Sequence, residues 1–397
     1  MKCLTRVKVI YLFKFSMFDH ERVTKFIKHL FFLISFRIFQ KKSKTLMKKL
    51  LRVVLLLVVL VALYFVVIIA WGTITDYQPD DITNLEIQGN AKKLPVIDST
   101  FTFLTWNVGY CGLGAEMDFF YDGGKSVRPS TERVKKYTAG VIHFIQSVDS
   151  LDFIFLQEVD KNSARTGRQD ETEMVRNAMP SFASSFGINY NVQFVPLPFF
   201  NPLGKVEMGQ MILSKYQPVE SQRYSYHSSY AWPKRLFMLD RCFVLSRIKL
   251  QNGKELVLMN THNSAYDAGG KLREMEMPLI RDLMLKEYEK GNYVVAGGDW
   301  NQNPPSFKTE ELNKTYPGVD RVFLDGSLFP DNWQIVYDPH HPTNREIDAP
   351  LTPGKTEVTI IDFFVLSPNI DAENIKVISQ NFQNSDHDPV YMRIKIR

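Results

Sequence analysis

The sequence predicts an α+β fold in which two β-sheets pack as a sandwich, helices cover the outer faces, and one transmembrane helix precedes the whole. Three observations predict it. Short runs rich in Val, Ile, Leu and Phe are many while helical patterns are few. Several of those runs follow one another directly, which a simple doubly wound sheet does not allow. One charge-free stretch near the N-terminus approaches the ~30 Å of a bilayer's hydrocarbon core.

Residues 1–52 form a basic N-terminal segment with short apolar pieces such as Leu30–Phe36. Met47-Lys48-Lys49 would itself make an ordinary start, so the preceding segment reads either as a misassigned start or as a cytoplasmic tail. Residues 53–71, Val53 to Trp71, carry no charge, and only Tyr64 among them bears a polar group. Lys48, Lys49 and Arg52 flank this span before it and Asp76, Asp80 and Asp81 after it, so the positive-inside rule sets the N-terminus in the cytoplasm and the rest outside. A cleavable signal peptide is the competing reading, but the stretch is long for one and no small-x-small cleavage pattern follows. Residues 72–100, with Pro79, Gly89 and Pro95, read as a polar linker.

The remaining residues, 101–397, carry the predicted sandwich. Strands are expected over Phe101–Trp106, Asp152–Leu156, Gly209–Leu213, Cys242–Ile248, Leu256–Asn260, Tyr293–Ala296, Val358–Leu366 and Val390–Ile396. Helical spacing marks Thr131–Val148 and Gly270–Lys290, the first with a start signal in Pro129, Ser130 and Glu132.

Composition narrows the chemistry. Cys3, Cys111 and Cys242 are too few for a disulfide scaffold and offer no C-x-x-C zinc site, so any metal is held by oxygen or imidazole. Of the chain's 48 Lys+Arg and 43 Asp+Glu, residues 1–52 hold 14 and 2, which leaves 34 basic against 41 acidic residues elsewhere. The globular part therefore lacks the basic excess of a domain built to grip duplex DNA.

Polar residues end the apolar runs one after another. Asn107 follows Trp106, Glu158 follows Gln157, His262 follows Thr261, and Asp299 and Asn301 follow Gly297-Gly298. Asp362 interrupts Val358–Leu366, and Asp386-His387-Asp388 precedes the last run. Taken singly, each has a bland alternative as a turn residue, a solvated carboxylate or a satisfied histidine. Asp362 is the exception, because a carboxylate inside an apolar strand is costly unless paired, and His387 or a cation is its natural partner.

Together, Thr105-Trp106-Asn107-Val108, Leu156-Gln157-Glu158-Val159, Asn260-Thr261-His262, Gly298-Asp299-Trp300-Asn301, Ile361-Asp362-Phe363-Phe364 and Ser385-Asp386-His387-Asp388-Pro389 resemble the ordered motifs of the endonuclease/exonuclease/phosphatase superfamily. The resemblance implies a four-layer α/β/β/α sandwich (DNase I-like) and a Mg²⁺-dependent phosphoesterase, with Mn²⁺ as the alternative ion. It implies Glu158 as principal metal ligand, with Asn107 beside it and Asp386 contributing directly or through water. It further implies Asp299 as the group that orients or deprotonates the attacking water, and Asn301 as the holder of a phosphate oxygen. His262 and His387 would stabilise the phosphorane, and Asp362 would fix the tautomer and charge of His387. Oxygen ligands with few carboxylates suit Mg²⁺ independently of the family.

Branch-specific motifs are missing: Ile361, not Arg, precedes Asp362, and Gln302-Asn303-Pro304-Pro305 follows the Gly-Asp-x-Asn motif. An anchored acidic domain outside the cytoplasm favours lipid head groups or small phosphodiesters, and an extracytoplasmic nuclease stands second. A catalytically inactive phosphate-binding module and a zinc hydrolase using His262 and His387 are the readings of other kinds. The aromatic inserts Cys111–Arg128 and Phe194–Val206 are candidate substrate or bilayer contacts, and the loop of Tyr230, Trp232, Lys234 and Arg235 is a candidate phosphate contact. No obligate protein partner is implied.

Overall fold

The computed structural model describes residues 44–92, 100–305, 307–308, 312 and 322–397, together with 24–25 and 28–29. Cys3, Leu30–Phe36, Pro95 and most of the basic N-terminal segment lie outside the described residues. The chain divides into two compact units, one of residues up to Asp76 with Gln193–Gly204, the other of Tyr77–Val192 with Lys205–Arg397.

The first unit is built on helix α1 (Lys44–Ile74). Its stretch Met47–Ile74, with an 18-residue window of mean hydropathy 3.5, is long and apolar enough to cross a membrane or to act as a signal sequence. In the same unit Phe199 packs edge-on to Tyr64 at 5.2 Å and lies 6.4 Å from Phe65.

The second unit is the predicted sandwich. Its strands are β1 (Ile82–Asn84), β2 (Thr100–Asn107), β3 (Phe153–Asp160), β4 (Ala183–Val195), β5 (Gly204–Ser214), β6 (Glu220–Ser225), β7 (Cys242–Lys249) and β8 (Glu255–His262). They continue with β9 (Tyr293–Asp299), β10 (Gln334–Val336), β11 (Asn344–Arg345), β12 (Val358–Thr359), β13 (Asp362–Leu366), β14 (Ile370–Val377) and β15 (Val390–Ile396). One sheet runs β1-β6-β7-β8-β9-β13-β10, the other β14-β15-β2-β3-β5-β4, and β11 with β12 makes a separate ribbon.

Period-two alternation builds the layers. Phe101, Phe103, Phe153 and Phe155 point into the space between the sheets, where Val244, Leu258, Val295, Phe364, Val390 and Met392 meet them. Their alternates Leu104, Trp106, Ile154 and Leu156 point outward onto α2 (Thr131–Ser147), which answers with Tyr137, Val141, Phe144 and Ile145. On the opposite outer face α4 (Lys271–Glu289) lays Met277, Ile280 and Met284 on Leu245, Val257, Met259, Val294 and Phe363. Each fully buried Phe contributes about 1.5–3 kcal/mol, so the apolar layers offset the cost of a polar edge. α2 begins as its sequence indicates, with the Ser130 hydroxyl accepting from Arg133 N–H at 3.3 Å.

Seven elements have no apolar run to announce them: the short strands β1, β10 and β11, together with β4, β6, β14 and α3 (Glu171–Ala178). β4 and β14 close the two edges of one sheet, and β6 carries the polar sequence Glu-Ser-Gln-Arg-Tyr-Ser. The expected strand Val358–Leu366 is also two strands. The Thr343 hydroxyl accepts from the N–H of both Ile361 and Asp362, breaking the run so that Asp362 opens β13.

Candidate active site

Strand register gathers the polar residues. Parallel pairing sets His262 opposite Asp299, antiparallel pairing sets Asp362 opposite Asp299, and three neighbouring strands thus present His262, Asp299 and Asp362 in a row. From the other sheet Asn107 ends β2 beside Gln157, and Val390 pairs with Thr105, which brings Asp386 and His387 to the same edge. The core is polar here: the Gln157 amide donates to Asn260 Oδ1 at 2.6 Å and Thr105 Oγ1 at 3.0 Å, linking the sheets beneath the site.

Two backbone features aim the side chains. The ladder between β3 and β5 shifts register between Leu156 and Val159, and inside that bulge Glu158 sits at φ +54°. A left-handed non-glycine residue is strained, and bulges of this kind re-aim side chains. Gly298 has φ +141°, and a Cβ there would stand 2.1 Å from the Thr261 carbonyl oxygen. Only glycine lets β9 approach β8 closely enough to bring Asp299 beside His262.

The resulting distances are short. Asn107 Nδ2 donates to Asp299 Oδ2 at 3.0 Å and to Glu158 Oε1 at 3.3 Å. His262 Nε2 lies 3.5 Å from Asp299 Oδ2 and 3.7 Å from Glu158 Oε1. His387 Nδ1 meets Asp362 Oδ2 at 2.8 Å, and its Nε2 faces Asp299 Oδ2 at 3.9 Å. Asn301, at φ +51°, has its N–H on Asp299 Oδ1 at 2.9 Å and its amide nitrogen on the Asn263 carbonyl at 3.0 Å. Ser385 Oγ reaches the Asn107 carbonyl at 2.7 Å and Asp386 Oδ1 at 3.3 Å, pinning the loop before β15 to the end of β2. Asp388 instead accepts from Ser379 Oγ and Phe382 N–H and braces its own loop.

The two histidines carry different charges. Burial opposes protonation of His387, but the Asp362 carboxylate more than offsets it and lifts the pKa to about 10. Burial pushes His262 well below the usual histidine range, and the positive charges of Arg241 and His387 push the same way. The imidazolium expected at both positions is therefore held at His387 alone. Burial raises Asp299, and the negative charge of Asp362 adds to it.

Residues with no strand-end signature complete the rim. Arg241 is buried at 7% exposure, one residue before Cys242, which pairs with His262, and its Nη1 has no hydrogen-bond partner among the described residues. Asn344 lies 3.0 Å from His387 Nε2. The aromatic insert reaches the site through Asp122, which accepts from Tyr266 O–H at 3.0 Å, and Tyr121 packs edge-on to Tyr266. Tyr230 donates to the Ala265 carbonyl, and Lys234 lies 3.3 Å from the Tyr230 ring centroid.

A cation fits the oxygens of this edge. Burial raises the pKa of Glu158, and the negative charge of Asp386 is the next cause, so two carboxylates repel each other where Asn107 also points. A divalent ion relieves that repulsion. Among the described residues Asp299, Asp362 and His387 also have donor atoms within 4.8 Å of one another, but there the imidazolium already supplies the positive charge.

Residues 104–387 match the Endonuclease/Exonuclease/phosphatase family. The chain belongs to that family. Its members are phosphoester hydrolases that generally use a divalent metal, and this chain is such a hydrolase. No curated protein matches it. The fold is similar to that of an endonuclease/exonuclease/phosphatase from Beutenbergia cavernae, at 16% identity and TM-score 0.51, over 75% of this chain and 72% of that one. TDP2 from D. rerio, solved with a single-strand DNA product, gives 15% identity and TM-score 0.49 over 75% of this chain and all of its own. A family protein from Bacteroides vulgatus gives 16% and 0.47, with 75% and 100% covered. The shared architecture is the DNase I-like sandwich of two sheets flanked by helices.

Proposed function

We propose that this chain is a magnesium-dependent phosphodiesterase, anchored by α1 with its catalytic domain outside the cytoplasm, that acts on lipid head groups or small phosphodiesters. The observation that carries the chemistry is the row His262, Asp299, Asp362 facing His387 across 3.9 Å. Glu158, with Asn107 and Asp386, would hold the cation, which when bound supplies positive charge to a phosphoryl oxygen.

Asp299 Oδ2 accepts a proton from the attacking water, a role that its burial favours by raising its basicity. His387 Nε2–H donates to the negative charge that develops on phosphorus-bound oxygen, and Asp362 keeps that proton in place. His262, neutral, donates through one nitrogen, and Asn301 orients the phosphate. The unpaired Nη1 of Arg241 is available to a second phosphoryl oxygen.

Support for the lipid reading is the apolar span, the charge asymmetry around it and the acidic balance of the catalytic part. The test is full-length protein in detergent–lipid micelles, with Mg²⁺, on sphingomyelin, glycerophospholipids, inositol phosphates, a nitrophenyl phosphodiester and single- and double-stranded DNA. Preferential release of phosphorylated head groups is expected. Preferential DNA cleavage would move the chain to the nuclease reading.

A further inference from the structure

No charged residue occurs between Asn177 and Gly204, a stretch of the sequence that includes all of β4 and the turn leading into β5. At its tip stands Pro196-Leu197-Pro198-Phe199-Phe200-Asn201-Pro202-Leu203. Phe200 is 84% exposed, and its ring packs edge-on to Phe199, which lies against Tyr64 and Phe65 of α1. A water-facing turn of this size normally carries charge and avoids an exposed aromatic pair.

The backbone of the tip also suits lipid, where every unsatisfied polar group is expensive. Three of its eight residues are prolines with no N–H, and the N–H groups of Asn201 and Leu203 donate to the carbonyls of Pro198 and Leu197 at 3.0 and 2.8 Å. Tyr64 lies seven residues before Trp71, the last residue of the predicted apolar span, or about 10 Å along a helix. An interfacial element reaches roughly that depth, ~5–10 Å into the headgroup and acyl boundary.

We propose that the tip of the β4–β5 hairpin, Pro196–Leu203, is a second membrane contact, an aromatic wedge seated in the outer leaflet beside α1. The strand that follows it enters the sheet at the catalytic edge, since Gly209 of β5 pairs with Val159, next to Glu158. The tip is therefore joined through β5 to the strand that carries Glu158. The inference rests on α1 as a membrane span, and its test separates the two.

Full-length chain with Cys3→Ser and Phe200→Cys is labelled with an environment-sensitive fluorophore and reconstituted in phosphatidylcholine vesicles. Cys111 and Cys242 are buried and leave the new thiol as the reactive one. The matched control is Gln251→Cys, exposed in the turn between β7 and β8. The label at 200 is expected to lose emission in vesicles with acyl-brominated lipid and to resist aqueous iodide, with the reverse at 251. Asn201→Cys repeats the reading should Phe200→Cys fold poorly. Retention of the chain after alkaline carbonate with equal iodide quenching at 200 and 251 overturns the hairpin contact alone. Release by carbonate overturns the span and the hairpin contact together.

Discussion

Replacing Asp362 by Asn removes the charge that holds a proton on His387 while leaving the shape of β13 nearly unchanged. In the native site that carboxylate sits 2.8 Å from Nδ1 and lifts His387 from 6.5 to about 10 against the opposing effect of burial. The rise corresponds to roughly 5 kcal/mol of preference for the imidazolium at about 1.4 kcal/mol per unit. Without it only the negative charges of Asp299 and Asp386 oppose burial, and the pKa falls from about 10. A donor required in protonated form is present below its pKa and lost above it. At pH 7.5 the native His387 is almost wholly charged, and in Asp362→Asn the charged fraction is smaller. Histidine NMR on the metal-free protein reads the shift directly. The pH–rate profile with Mg²⁺ then reads its consequence, a kcat lower by about 10²–10⁴ at pH 7.5 and a falling limb moved to lower pH. An unshifted His387 resonance, or a variant within threefold of native with an unchanged profile, would refute the coupling of Asp362 to His387.

Three further outcomes follow from the same geometry. Glu158 and Asp299 have raised pKa values in the fold, so the stability they contribute is complete at low pH and is lost as pH rises through those values. Mg²⁺ should therefore raise the Tm of native chain more at pH 8 than at pH 5, and Glu158→Gln should abolish that gain in a thermal scan. Gly298→Ala should destabilise by roughly 3 kcal/mol or more in urea unfolding, because its Cβ meets the Thr261 carbonyl at 2.1 Å; a change under 1 kcal/mol would show that the edge relaxes freely. Arg241→Met should keep or raise stability, since Nη1 is buried without a partner, yet lower kcat/KM at least tenfold, as about 1.4 kcal/mol of one lost phosphate contact requires.

What was legible in the sequence is what packing on both faces makes legible. β2, β3, β8 and β9 are buried from both sides, so each reads as an apolar run, and its terminal polar residue marks where the run leaves the core. That is why Asn107, Glu158, His262 and Asp299 stand out, and why Asp362 beside Phe363 asks for a partner. Edge strands receive half their order from a neighbour, and β4 and β14 carry polar sequences that no periodicity distinguishes from loop. Arg241 enters the site from a loop and Asn344 from the two-residue strand β11, so nothing local marks them. The left-handed backbone of Glu158 comes from a register shift between two strands distant in sequence. The neutral state of His262 depends on burial and on Arg241, 21 positions before it, whereas the charge of His387 depends on Asp362, 25 positions before it.

The central claim is that Asp299, His387 and an oxygen-bound divalent cation form one hydrolytic site. It is tested most directly by the rate of nitrophenyl phosphodiester hydrolysis by full-length protein, with Mg²⁺ and with chelator, for native chain and for Asp299→Asn. The account predicts hydrolysis that disappears with chelator, returns with Mg²⁺ and falls by about 10²–10⁴ in the variant. Hydrolysis unaffected by chelator, or equal in native chain and Asp299→Asn, would contradict it.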